Sequence, residues 1–345
     1  MKDKRVLMIG LTSPLEGGSQ RHIYEISSRM KNCTVLTQKG SICKNKIELP
    51  VIRRSIFLRN IFFAFLCYLY MIKLLIFKKY DVIHIHENVL YPLSFLLKLR
   101  YKVVISVHGI EGFKYYNNKF YWFFFKSALS NADTLIAVSK LDESLLKKHF
   151  KNVYHVPTGV DLSLYKKIKT KVENKITFIG RMHEQKGIIY LLESFDKIKD
   201  KIPGFKLELI GAVNEYGKEL KEKYNDKRII WEGFMGDRKE TFKHLKSSYC
   251  IVLPSLWEGF PATLLEAMAS GRPVVLSDIP IFTSVAKKGA IFFKNKDSTD
   301  LGKKLIMLTK NSKYKNKINI EGIKLSEKYD WPNIVKQIEE VYSKN

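Results

Sequence analysis

The residues best suited to chemistry lie in the second half of the chain. Glu258 and Glu266 stand in an E-x7-E spacing within Pro254–Val275, PSLWEGFPATLLEAMASGRPVV. An apolar run ends at Pro254, and the loop Glu258-Gly259-Phe260-Pro261 follows. A helix is expected from Pro261, where proline suits the first turn, and Gly271 stops it. Such a loop offers backbone N–H groups and a helix N-terminus, which attract an anion. Carboxylates beside an anion repel it unless they bind hydroxyl groups or are charge-paired. The pattern therefore points to a ligand with both phosphate and polyol parts. Arg181 and Lys186 flank a second strand–helix loop, FIGRMHEQKG. They suit a diphosphate, arginine through its planar fork and lysine as a point charge. Gly17-Gly18 sits in the first such loop, TSPLEGGSQ, where glycines let backbone approach a ligand closely. His108 ends the run Val103–Val107 and could bond a substrate hydroxyl. His84 and His86 face one side of DVIHIH, and His84 reads as structural. Each piece alone also fits a plainer reading: a capped helix, a basic loop, a glycine turn.

These loops need elements to position them. Short apolar runs alternate with helical stretches along the chain. Strands are expected at Val6–Gly10, Cys33–Thr37, 81–86, Val103–Val107, Thr134–Val138 and Val153–Val156. After a polar, Lys-rich stretch over 163–175, read as a linker, further runs follow at Ile176–Gly180, Leu207–Ile210, Ile229–Glu232, Cys250–Pro254 and Val274–Ser277. Runs without polar alternation are what strands covered on both faces look like, and strand–helix–strand repetition means a doubly wound parallel sheet. The fold class is α/β: two doubly wound, Rossmann-like domains, over 1–165 and 166–328, facing a central cleft, with 329–345 as a helix returning to the first.

The combination Arg181-x4-Lys186-Gly187 with Glu258-x7-Glu266, joined to Gly17-Gly18 and Gly159-Val160-Asp161, resembles the retaining family 4 glycosyltransferases of the GT-B fold. The resemblance spans almost the whole chain and is densest over 258–275. It implies that Arg181 and Lys186 neutralise the diphosphate of a nucleotide-sugar donor, with Gly17 and Gly18 near the phosphates. It implies that Glu266 holds the ribose and that Glu258 contacts the donor sugar at the anomeric carbon. Gly259, Phe260 and Pro261 would hold sugar hydroxyls, His108 would be the active-site histidine, and Phe234-Met235 would lie beside the base. UDP is the expected nucleotide on family frequency, GDP the alternative. No cofactor and no metal are expected, and Asp-x-Asp, the usual holder of a metal-bound nucleotide diphosphate, does not occur in the sequence.

Charge frames the remaining partners. The chain carries 60 Lys+Arg against 34 Asp+Glu, a net +26, spread over both halves. Nucleic-acid readout leans on arginine forks, and an excess that is mostly lysine and evenly spread argues against it. A sugar-nucleotide epimerase would share the architecture but not this cation and E-x7-E set. Two aromatic, basic stretches, 53–80 and 112–126, suit contact with an anionic membrane and a glycan or lipid-linked acceptor. Because the longest apolar run there is Ile61–Ile72, ending at Lys73, a partly buried helix is expected rather than a spanning one. The four cysteines lack metal or redox spacing. With no signal-peptide pattern at the start, a cytoplasmic site at the inner face of the cell membrane is expected.

Overall fold

The computed structural model describes residues 4–12, 18–51, 56–77, 79–110 and 118–344. The chain divides into two compact units: Met1–Thr158 with Trp331–Asn345, and Gly159–Asp330.

The first unit is built on a parallel sheet of β1 (Val6–Ile9), β2 (Cys33–Gln38), β3 (Lys46–Leu49), β4 (Val82–Ile85), β5 (Lys102–Val107), β6 (Thr134–Ala137) and β7 (Val153–His155), in the order 3-2-1-4-5-6-7. Every residue of β1, β4 and β6 is buried, as sequences that are apolar but for His84 and Thr134 favour. The edge strand β3, KIEL, alternates between exposed and half-buried positions and carries two charges, which hid it among loop residues.

The second unit repeats the plan with β8 (Lys175–Ile179), β9 (Lys206–Ile210), β10 (Ile229–Gly233), β11 (Cys250–Leu253), β12 (Val274–Ser277) and β13 (Ile291–Phe293), all parallel, in the order 10-9-8-11-12-13. The order reverses between β1 and β4 in one sheet and between β8 and β11 in the other. Open α/β sheets bind ligands outside the carboxyl ends of the strands at such a reversal.

The stretch read as a linker is partly ordered. Asp161 caps a helix over Leu162–Lys167, accepting from the Leu164 N–H. The boundary expected at 165–166 falls inside this helix, and the division between units comes earlier, at Thr158. The tail helix Trp331–Ser343 packs with the first unit, burying Trp331, Ile334, Ile338 and Tyr342 against β1 and β4.

The helix Ile56–Ile76 buries Phe63, Cys67, Met71 and Leu74 at spacings of four, four and three, one face of an α-helix. Ile61, Phe65, Leu69 and Ile72 remain exposed on its other side. Its Leu58–Ile76 stretch is long and apolar enough to cross a membrane by length and composition. The uninterrupted run understated it, because Arg59, Asn60 and Lys73 interrupt an otherwise largely apolar stretch.

Candidate functional site

In the second unit the two loops richest in candidate chemistry leave β8 and β11, the neighbouring strands at the point of reversal. Lys186 closes a short 3₁₀ turn after β8, and Glu258 lies in the loop after β11. Their side chains meet: Lys186 Nζ is 2.5 Å from Glu258 Oε1. Ser255 Oγ donates to the same carboxylate oxygen at 2.7 Å. Backbone stitching fixes the loops, with Leu256 N–H donating to the Gln185 carbonyl and Gln185 Nε2 to the Trp257 carbonyl. Gly187, at φ +60°, lets the first loop lie against the second: a Cβ there would run into the Pro254 carbonyl oxygen. Arg181 is exposed on the same loop.

Pro261 takes the N-cap of the helix Ala262–Ala269 without a side-chain acceptor, so the first-turn N–H groups have no side-chain cap. Glu266 sits one turn inside and pairs with Arg238, Oε1 to Nη2 at 3.0 Å. The Arg238 guanidinium lies over the Phe242 ring, which stacks on Tyr165. Burial pushes the Tyr165 hydroxyl pKa well up, with the Glu266 charge adding to it. Arg238 starts a helix capped by Asp237, directly after Phe234-Met235 at the end of β10. Phe234 is exposed and Met235 half-buried. Through Arg238, the loop of Phe234 and Met235 and the helix of Glu266 are brought to one place.

In the first unit Gly18 opens the helix Gly18–Arg29, with open space where a Cβ would stand; Gly17 lies outside the described residues. His22 on this helix meets His86 and His108, which follow β4 and β5. His86 Nδ1 and His108 Nε2 share a hydrogen bond at 3.2 Å. His22 Nδ1 is 3.3 Å from Thr158 Oγ1. The Nε2 atoms of His22 and His86 are buried without a partner among the described residues. One nitrogen from each of the three lies within 4.8 Å of the others. His84 is different: Ser106 and Tyr342 take both its nitrogens, the structural role expected of it.

Two family models cover the chain in succession: Glycosyltransferase Family 4 over residues 16–164 and Glycosyl transferases group 1 over 164–325. The chain is a family 4 glycosyltransferase. An uncharacterized glycosyltransferase of Methanocaldococcus jannaschii is 33% identical over 175 residues, 46% of this chain and 42% of that protein. The UDP-Gal:alpha-D-GlcNAc-diphosphoundecaprenol alpha-1,3-galactosyltransferase of Escherichia coli is 28% identical over 60% of both chains. The chain thus spans about half the length of these two relatives. Anabaena HepE, solved in complex with UDP and glucose, superposes over 99% of both chains with a TM-score of 0.81 and 15% identity, a likeness of the GT-B fold.

The glycosyltransferase contains polar groupings, Arg238 with Glu266 and His22 with His86 and His108, that no single stretch of its sequence shows. Arg238, 28 residues from Glu266, becomes its partner only through the packing of two helices. His22 and His86 join His108 only because three neighbouring segments end together.

Burial depresses all four of these imidazoles: His84 to about 3, His108 to about 4, and His22 and His86 well below the ordinary value. In the unfolded enzyme they titrate near ~6.5. Below that pH the unfolded state binds more protons than the folded one, so stability is fully present above ~6.5 and is lost as the pH falls. The urea midpoint is expected to be lower at pH 5 than at pH 7.5. A midpoint that is equal or higher at pH 5 contradicts this account of the cluster.

Proposed function

We propose that this glycosyltransferase moves a sugar, with retention of anomeric configuration, from a nucleotide-diphosphate donor to a hydroxyl of a glycan or lipid-linked acceptor. A UDP-sugar is the first candidate donor. The observation that carries the reading is the Lys186–Glu258 pair at the strand reversal of the second unit, with Arg238–Glu266 beside it. A cation and a carboxylate held in contact suit a ligand that brings phosphate to one and hydroxyls to the other.

In this reading the donor diphosphate displaces Glu258 from Lys186 and is neutralised by Lys186 and Arg181, without a metal. Glu258 and the N–H groups of Gly259 and Phe260 then face the sugar, and Glu266 takes the ribose hydroxyls. Phe234 and Met235 lie beside the base. His108, buttressed by His86, is the candidate active-site histidine of the first unit. The acceptor oxygen bonds to the anomeric carbon as the bond to the β-phosphate oxygen breaks, and that oxygen takes the acceptor's proton. Cations preset where the leaving charge develops lower such a barrier.

The Escherichia coli relative, whose name specifies a UDP-sugar and a diphosphoundecaprenol acceptor, supports a lipid-linked acceptor; a role in surface polysaccharide or glycolipid synthesis at the inner face of the cell membrane belongs to the same proposal. The test is donor-induced thermal stabilisation by sugar nucleotides, present in the wild type and absent in Glu266→Ala.

A further inference from the structure

The first unit exposes an apolar surface that its own packing leaves uncovered. One row is the outer side of the helix Ile56–Ile76, where Ile61, Phe65, Leu69 and Ile72 stand in solvent. A second is the helix Lys119–Leu129, where Phe120, Phe123 and Phe124 are 69%, 66% and 55% exposed. Both helices pack against the same segment, Asn88–Leu97. Tyr91 meets Phe125, and Ser94 Oγ donates to the Ala128 carbonyl. That segment and the residues after it add the exposed Phe95 and Leu99. The rows thus belong to one neighbourhood of one unit, and a soluble surface rarely exposes so many large apolar groups together without a partner.

Charge identifies the partner. Residues 56–77, 88–110 and 118–132 contain no aspartate or glutamate, while Arg59, Lys73, Lys98, Arg100, Lys119 and Lys126 all fall within them. Among the described residues, the acids next to these stretches are occupied: Asp81 by Arg5, Glu87 by the Leu11 N–H and Asp133 by the Val103 N–H, while Glu111 lies outside the described residues. A second copy docking by the same face would set these cations against their own images. An anionic bilayer satisfies both features, since phosphates pair with the cations and the interface accepts aromatic rings. The helix Ile56–Ile76 lies on the bilayer rather than through it, because its inner row, Phe63, Cys67, Met71 and Leu74, is core of the unit.

We propose that this acid-free face seats the enzyme on anionic lipid, with both helices along the membrane plane and their aromatic side chains among the headgroups. It deepens the lipid-linked acceptor reading by naming the surface that meets the membrane. The helix Lys119–Leu129 follows His108 by about ten residues of chain, which ties the docked face to the strand end carrying the histidine cluster.

The test is co-sedimentation of the full chain with vesicles of phosphatidylcholine alone and of phosphatidylcholine with phosphatidylglycerol in equal parts. Wild type is expected to pellet with the mixed vesicles and to be released by 0.5 M salt. The variants Ile61→Ser/Phe65→Ser and Phe123→Ser/Phe124→Ser should each need about a hundred-fold more lipid, since each removes two side chains whose burial is worth about one decade apiece. Their melting temperatures should match wild type, because the side chains are exposed. Wild type that stays in the supernatant overturns the proposal, as does equal binding to both vesicles or double variants that bind like wild type. A dimer in light scattering that the same substitutions dissolve gives the face to a second copy and overturns it too. The wild-type arm stands even if a variant fails to fold. Donor-induced stabilisation, measured without vesicles, fails or succeeds separately.

Discussion

Lys186→Ala is expected to lower kcat for sugar transfer about 10²–10³-fold, the usual cost of removing one preset donor from a developing oxyanion. The size follows from where Lys186 stands. Its ammonium touches Glu258 at 2.5 Å, both side chains are largely shielded from solvent, and Ser255 is the other group holding that carboxylate. Without the lysine, Glu258 stays negative beside the position proposed for the diphosphate, so the leaving group loses an attraction and gains a repulsion. The donor KM should rise with the fall in kcat. The double variant Lys186→Ala/Glu258→Ala should recover stability lost in the single one, because no carboxylate is left unpaired, and should remain inactive. Steady-state kinetics on the folded variant check this, and a kcat within threefold of wild type contradicts it.

Gly187→Ala should cost roughly 3 kcal/mol of stability, or about 10 °C in melting temperature for a unit of this size. Two effects add. Gly187 has a left-handed backbone, which an L side chain resists. The new Cβ would also meet the Pro254 carbonyl oxygen, backbone at the end of β11 that cannot rotate away. Relief requires the loop of Lys186 to separate from the loop of Glu258, so donor binding should weaken with stability. A melting scan with and without nucleotide sugar measures both, and a variant melting within 2 °C of wild type contradicts the packing described.

The family was legible in the second unit because its signals are local. Arg181-x4-Lys186 and Glu258-x7-Glu266 each lie on one strand–loop–helix, so each spacing is visible within a single short stretch of sequence. The central strands were legible for a similar reason: β1 and β11 are unbroken apolar runs, and β4 and β12 are broken only by His84 and Ser277, all buried on both faces. What escaped depends on contacts between distant segments. Arg238 pairs with Glu266 across 28 residues, and nothing near Arg238 marks it beyond Asp237 as a helix cap. Gly211 reads as an ordinary strand-end glycine until β8 and β9 are laid side by side, where a Cβ would strike the Gly180 carbonyl. The histidine cluster needed the strand order, which sets the ends of β4 and β5 beside the helix of His22. The edge strand β3 and the helix Leu162–Lys167 were hidden by composition, since both are short and rich in charge or hydroxyl groups.

The central claim is that the second unit holds a nucleotide-sugar through two carboxylate–cation pairs. Thermal unfolding of wild type, Lys186→Ala and Glu266→Ala, each with a panel of UDP- and GDP-sugars, tests it most directly. At ligand a hundredfold above its dissociation constant, binding adds about 2.7 kcal/mol of stability, a shift of several degrees. The account predicts that at least one sugar nucleotide raises the wild-type melting temperature and that both variants lose the shift. If no sugar nucleotide moves the wild type, or the variants respond as it does, the assignment of the site is contradicted.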